Sequence, residues 1–452
     1  MKDYIEIHAD RFIEELKAFL RIPSISADPK YIADIKKASE FLVSAMDEIG
    51  INTTTFLSVG HPIVYGTKHI DDSYPTVLIY GHYDVQPADP IDLWDTPPFE
   101  PAIRDGKIYA RGACDDKAQV YLILKALEAM INQGALHCNV KLIFEGEEEI
   151  GSRTLEQFIC NNKSLLAADA FLVCDTSMPG INQPALINSL RGICYCEITI
   201  NGAPEDLHSG MLGGAIINPL TVLCSIIGKL KNDDHRILIP GFYDGIQENK
   251  LNDFNLNPNP KLAPYQTGEV GYTPLEQMTI RPTLDIHGVT GGYSADGPKT
   301  VIPSQASAKF SMRLVEGQDE AKIFSLLENY IKTLAPKETS FQLNKLAGSN
   351  AVQTDTNSKA CKSAELALKS VFNTQPTSMK IGGTIPVVSM IKEHLNLNPI
   401  LMGFGLETDN IHGPNEHFHL NNFFKGIEAV SLFLNTYGEK KMENTKTIHE
   451  FN

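Results

Sequence analysis

The sequence predicts an α/β protein whose mostly parallel, helix-covered sheet is interrupted by an inserted α+β domain. Three observations predict it. Apolar strand-like runs alternate with amphipathic helical patterns up to about residue 187. The pattern then changes to alternating, half-exposed strands, and from about residue 350 the first style returns. Alternating strand and helix signals indicate a parallel sheet covered on both faces, whereas alternating strands with occasional helices indicate an antiparallel sheet covered on one.

Taken in order, residues 3–50 carry two helical patterns, the second placing Ile32, Ile35, Ala38, Phe41, Leu42 and Met46 on one stripe. INTTTFL, PIVYGT and TVLIYGHYD read as strands, and a Pro- and Asp-rich loop over 86–106 leads to KIYARGACDD. The apolar helix KAQVYLILKALEAMI, the strand NVKLIFEGEEE, a helix near 152–163 and the strand DAFLVCD follow. Beyond residue 187, CYCEITING alternates as a strand and MLGGAIINPLTVLCSIIGKL reads as a helix, followed by an aperiodic Asn-, Pro- and Gly-rich stretch over 232–282. KTVIPSQASAKFSMRLV reads as strand and EAKIFSLLENYIKTLA as helix. The closing segment has the helix SKACKSAELALKSVF, a Gly-rich turn at IGGTIP, the strand NPILMGFG and the helix NNFFKGIEAVSLFLNTY, with a disordered tail expected after about 438.

At 452 residues the chain exceeds one ordinary core. The expected domains are 1–187 with 350–452, and an inserted 188–349. A net charge of −16 with no basic stripe argues against nucleic acid. No run approaches the length of a membrane span, and the N-terminus lacks a secretory apolar region. The eight cysteines have no regular spacing, and Cys160, Cys174, Cys194 and Cys224 read as small core residues in a reducing compartment. A cytoplasmic location is the expectation.

Several residues carry potential chemistry. In TVLIYGHYDVQP a strand ends at His82 and Asp84, whose i, i+2 spacing places them on one side. They are either a metal-binding imidazole and its carboxylate partner, or a turn Asp beside a surface His. Asp115 and Asp116 stand where a helix begins; capping is the commoner role for such residues, and bridging two cations the alternative. Glu147, Glu148 and Glu149 leave an apolar strand as consecutive carboxylates, a solvated acidic turn or a charge-compensated site. Asp175 ends FLVCD, and His412 lies in a Gly-, Asn- and Pro-rich loop with His417 and His419 nearby. Only one of these three histidines need be a ligand, leaving the other two solvent-facing. The conjunction is more informative than its parts. His82, Asp115, Glu148, Glu149 and Asp175 fall around strand carboxyl ends of one sheet, the edge where open α/β sheets build sites. Carboxylates with imidazoles, and no ordered thiolate set, suit zinc, manganese or cobalt.

GHYDVQP, LWDTPPFEP, RGACDDK, EGEEEIGS, CDTSMPG, LRGICY, DLHSG, GPKTVIP, FSMRLV, GGTIP and IHGPNE occur in order along nearly the whole chain. On these motifs it resembles the metallopeptidase family of carnosinases, aminoacylases and succinyl-diaminopimelate desuccinylase, most of all the carnosinase-like dipeptidase branch. The resemblance implies a catalytic domain and an inserted lid that also forms a homodimer. It implies two divalent ions per chain, zinc foremost and manganese or cobalt as alternatives. His82 and Asp175 would bind one, Glu149 and His412 the other, and Asp115 and a water would bridge them. It makes Glu148 the general base, has Asp84 orient His82, and implies a cis peptide between Asp115 and Asp116. His208 is assigned to the oxyanion, supplied by the neighbouring subunit's lid, while Arg313, Thr300 and Thr384 hold the substrate's carboxylate end. Two positions depart from the pattern: Ala118 follows Lys117 where the family has Gly, and Ile381 replaces a Glu before the Gly-rich turn. The expected function is hydrolysis of the amide bond of dipeptides or short peptides. The alternatives are an N-acyl-amino-acid amidohydrolase with the same site and a non-catalytic binding relative.

Overall fold

The computed structural model describes residues 1–57, 60–247 and 265–439. Part of the aperiodic stretch (248–264) and the tail beyond 439 lie outside the described residues. The chain divides into two compact units, 1–187 with 355–378 and 391–452, and 188–354 with 379–390. The sequence reading leaves 379–390 in the flanking domain; its packing differs because the Gly382 carbonyl accepts from Arg191 Nε at 3.1 Å and Thr384 Oγ1 donates to the Arg191 carbonyl at 2.6 Å.

The first unit is built on a sheet whose centre is parallel. Strands run in the order Asn52–Phe56, Ile63–Lys68, Asn139–Glu145, Thr76–His82, Ala170–Val173 and Pro399–Leu401. The last four are mutually parallel, while the first two are antiparallel to their neighbours. Thr76–His82 is buried from Val77 onward, as a strand covered on both faces requires. Helix Lys117–Asn132 is buried on nearly every side, which explains an apolar run too continuous for an amphipathic stripe. The register pairs His82 with Glu145 and Tyr80 with Val173, so three strands reach their carboxyl ends together. Helix Ile32–Glu48 buries Ile35, Ala38, Leu42 and Met46 as its pattern predicts, but Ile32, at its first turn, is exposed.

The second unit holds a four-stranded antiparallel sheet in the order Thr283–Gly291, Gln305–Leu314, Gly192–Asn201 and Ser340–Ser349. Along Gly192–Asn201 alternate residues are buried, and Cys194, Cys196, Ile198 and Ile200 pack with Leu223 and Ile226 of helix Pro219–Gly228 and Leu327 and Ile331 of helix Glu320–Leu334. The single helix expected over MLGGAIINPLTVLCSIIGKL is two, Ser209–Leu212 and Pro219–Gly228. The break has a local cause. Asn218 caps the second helix by accepting from the Leu220 and Thr221 N–H groups, and Pro219 occupies the first helical position. All eight cysteines are free thiols, and six are buried. Cys160 and Cys224 are not core residues; each lies on the outward side of its helix, opposite Phe158 and Val222 respectively.

Candidate active site

His82 is the last residue of its strand and is fully buried. Its Nδ1 lies 3.1 Å from the Asp84 carbonyl and 3.4 Å from Asp84 Oδ1. A carbonyl only accepts, so Nδ1 carries a proton. Against burial, the neighbouring Asp115 and Asp84 carboxylates raise the ring's pKa, and in the neutral, ligating form its lone pair is at Nε2. That atom faces Asp115 Oδ1 at 2.9 Å, with Asp175 Oδ2 at 3.9 Å. The other Asp115 oxygen faces His412 Nε2 at 2.9 Å, and the same nitrogen lies 3.2 Å from Glu149 Oε2. Asp115 therefore stands between two sets of donors. His82, Asp115 and Asp175 have ligand atoms within 4.8 Å of one another, and so do Asp115, Glu149 and His412.

The electrostatics are those of a site assembled around positive charge. Burial raises the Asp175 carboxyl to about 7, the Asp115 charge adding to the shift. Glu148 is pushed well above the carboxylate range by burial and by the Asp175, Asp115 and Glu149 charges, against an opposing pull from His82. Burial also acts to raise Asp115, but hydrogen bonds with His412 and His82 hold it below its ordinary value. His412 is raised to about 10 by Asp115 and Glu149. Crowded carboxylates facing imidazole lone pairs need protons or cations, and this donor set of two imidazoles and three carboxylates fits two divalent ions sharing one Asp.

The three glutamates have separate surroundings. Glu147 Oε2 accepts from Thr154 N–H at 3.0 Å and Thr154 Oγ1 at 2.5 Å, tying down the 147–154 turn. Glu148 and Glu149 donate their backbone N–H groups to the two Asp84 carboxylate oxygens, at 3.2 and 3.1 Å. The Asp84 carboxylate thus fixes the Glu148–Glu149 turn as well as facing His82. Asp116 occupies the N-cap position without making a capping bond; its Oδ2 instead accepts from the His82 N–H at 3.3 Å. The Asp115–Asp116 peptide is cis.

The comparisons with known proteins bear on this geometry. The profile described as peptidase family M20/M25/M40 matches residues 78–436. The chain belongs to that family. It is 32% identical to the Cys-Gly metallodipeptidase dug1 of Schizosaccharomyces pombe, over 96% of each chain. Among solved structures it resembles the M20 family metallo-carboxypeptidase Sso-CP2 of Sulfolobus solfataricus, with a TM-score of 0.85, 30% identity and coverage of 94% of this chain and 99% of that one. Human carnosine dipeptidase 1 gives a TM-score of 0.80 at 27% identity, covering 96% of this chain and 98% of that one.

Sequence reasoning missed two supporting residues of this M20 site. Glu416 is fully buried and accepts from Arg111 Nη1 at 2.6 Å and from the Gly112, Cys114 and Asp115 N–H groups at 2.9, 2.8 and 3.1 Å. It holds the loop that presents Asp115, and the only signal for it is an acid in a Gly- and Pro-rich turn. Gln86 Nε2 donates to Glu149 Oε2 at 2.8 Å and so orients that carboxylate. His417 and His419 are not solvent-facing: His417 is buried and His419 partly so, because strand His417–His419 pairs with Lys107–Tyr109. The remaining expected residues belong to the second unit. Arg313 Nη1 donates to Thr384 Oγ1 at 2.7 Å, and burial lowers the pKa of the guanidinium. His208 is exposed and pairs across a short ladder with Val301, while the Thr300 carbonyl accepts from the Ser209 N–H at 3.0 Å.

Proposed function

We propose that this M20 protein hydrolyses the amide bond of dipeptides or short peptides, with two divalent ions held by His82, Asp115, Glu149, Asp175 and His412. The observation that carries the reading is Asp115, whose two oxygens each face a different imidazole at 2.9 Å. Zinc suits the imidazole and carboxylate donors, with manganese and cobalt as alternatives. When bound, the ions supply Lewis-acid polarisation of a carbonyl and lower the pKa of a water. The protein does the rest. Glu148 takes a proton from the attacking water and returns it to the leaving nitrogen, positioned by the grip of Asp84 on its N–H. Divalent ions held by these ligands would offset the burial and carboxylate crowding that raise the Glu148 pKa.

His208 serves as the oxyanion donor. Its Nδ1 accepts from the Gly210 N–H at 3.0 Å, so a neutral ring carries its proton on Nε2 as a donor. We assign it to the partner's site in a homodimer formed through the inserted unit. Cytoplasmic residence is part of the same reading, supported by the eight free thiols. No described helix is long and apolar enough to cross a membrane.

The relatives are named for dipeptide or carboxypeptidase activity, and such substrates end in a free carboxylate beside the scissile bond. We assign Arg313 to that carboxylate, with Thr384 fixing its fork and Thr300 completing the contact. Arg313→Ala should raise KM for dipeptides at least tenfold, the order expected for losing a charge-assisted hydrogen bond worth about 1.5–3 kcal/mol. The wild type should already handle C-amidated dipeptides poorly. Equal turnover of free and amidated dipeptides would make Arg313 a structural residue of its sheet. Ile381 favours a second reading, deacylation of N-acyl amino acids, because it removes a carboxylate suited to a free amino terminus. Assaying dipeptides against N-acyl amino acids with zinc, manganese and cobalt decides between them: faster turnover of the acyl series overturns the dipeptidase assignment.

A further inference from the structure

The loop carrying His412 closes on a second group of ligand-type side chains. Asp409 and His417 stand at its ends, joined by the His417 N–H donating to the Asp409 carbonyl at 3.0 Å. His417 and His419 are two apart on one strand and project to the same side. The Asp409 carboxylate is fully buried. Its Oδ2 accepts from the Leu406 N–H at 2.8 Å and the Cys114 thiol at 3.6 Å, whereas Oδ1 has no hydrogen-bond partner. That orphaned oxygen lies 3.4 Å from His417 Nε2 and 3.7 Å from His419 Nε2.

The tautomer of His417 is set by its other nitrogen. Nδ1 lies 2.9 Å from the Asn415 carbonyl, an acceptor only, so it bears the proton and Nε2 presents a lone pair. Burial lowers the pKa of both imidazoles, favouring the neutral, ligating form. The unpartnered, buried Asp409 oxygen then faces two imidazole nitrogens, a three-donor group suited to a divalent cation. Lys107 Nζ donates to His417 Nε2 at 3.2 Å, so an ion must displace it from that nitrogen, but it makes no hydrogen bond to Asp409. Donors about 2.0–2.1 Å from a tetrahedral zinc are separated by about 3.4 Å, close to the two spacings found here.

We propose that Asp409, His417 and His419 form a third divalent-metal site, for a zinc-like ion, distinct from the pair at Asp115. An ion there pins both ends of the 409–417 loop, which delivers His412 and Glu416 to the active site. Two imidazoles and one carboxylate leave a fourth position for water, and Lys107 competes with the ion by its charge.

The test is zinc stoichiometry by equilibrium dialysis and elemental analysis on the full-length chain, first stripped with chelator. Wild type should bind one more zinc per chain than His419→Ala, whatever the catalytic pair retains, so the outcome does not depend on the proposed peptidase activity. His419 is largely buried at the end of a short strand, and circular dichroism checks that its variant is folded. Lys107→Met offers an independent reading that leaves all three ligands in place. Removing the neighbouring positive charge should tighten the additional zinc by an order of magnitude or more. Equal zinc counts in wild type and folded His419→Ala overturn the proposal. If His419→Ala does not fold, an unchanged zinc isotherm in Lys107→Met overturns it instead. In either case Lys107 is then the resident cation of the cluster.

Discussion

Replacing Glu148 with Gln should lower kcat by about 10²–10⁴-fold, the contribution typical of a positioned general base, while the metal content stays at the wild-type level. The expectation follows from the division of labour in the 147–149 turn. Glu147 is bound to Thr154, and Glu149 faces His412 and Gln86. Glu148 is the acid of the turn that faces neither Thr154 nor His412, yet it sits among the Asp115, Asp175 and His82 charges. Gln is nearly isosteric and keeps the backbone bond to Asp84, so only the proton-accepting oxygen is lost. Glu149→Ala should behave differently, losing metal together with activity. A Glu148→Gln protein that loses metal, beside a Glu149→Ala protein that keeps it, would reverse the two assignments.

His208→Ala should lower kcat by about 10²–10³-fold without loss of metal, the range for removing one preorganised oxyanion donor. The ring is exposed, and the Gly210 N–H fixes its tautomer, so the substitution removes a donor and little packing. If His208 acts on the partner's site, mixing His208→Ala with Glu148→Ala subunits should restore activity. One of the two sites in such a heterodimer receives both an intact base and an intact imidazole. No recovery after demonstrated subunit exchange, or a fully active monomer, rules out action across the dimer.

The structure explains which parts of this protein were legible in its sequence. Strands buried on both faces, such as Thr76–His82 and Ala170–Val173, announce themselves as unbroken apolar runs, and their carboxyl ends locate His82 and Asp175. In the second unit the inner strands Gly192–Asn201 and Gln305–Leu314 alternate in burial and were readable. The edge strands Thr283–Gly291 and Ser340–Ser349 were not. Most of their residues are exposed or only partly buried, so backbone pairing holds them in the sheet with little apolar periodicity to betray it. The ligand-type residues were recognisable by motif, but their support was not. Glu416 acts through backbone N–H groups some three hundred residues earlier, and such partners leave no trace in local composition. Asp409 was overlooked for the same reason, since only folding brings it against His417 and His419.

The central claim is that amide hydrolysis here requires divalent ions on the Asp115 cluster. Its most direct test is turnover of a dipeptide by chelator-stripped protein, followed through stepwise return of zinc, manganese or cobalt. Activity should be abolished on stripping and recover as metal is restored in wild type, but not in His82→Ala or His412→Ala. Full activity in rigorously metal-free protein would contradict it.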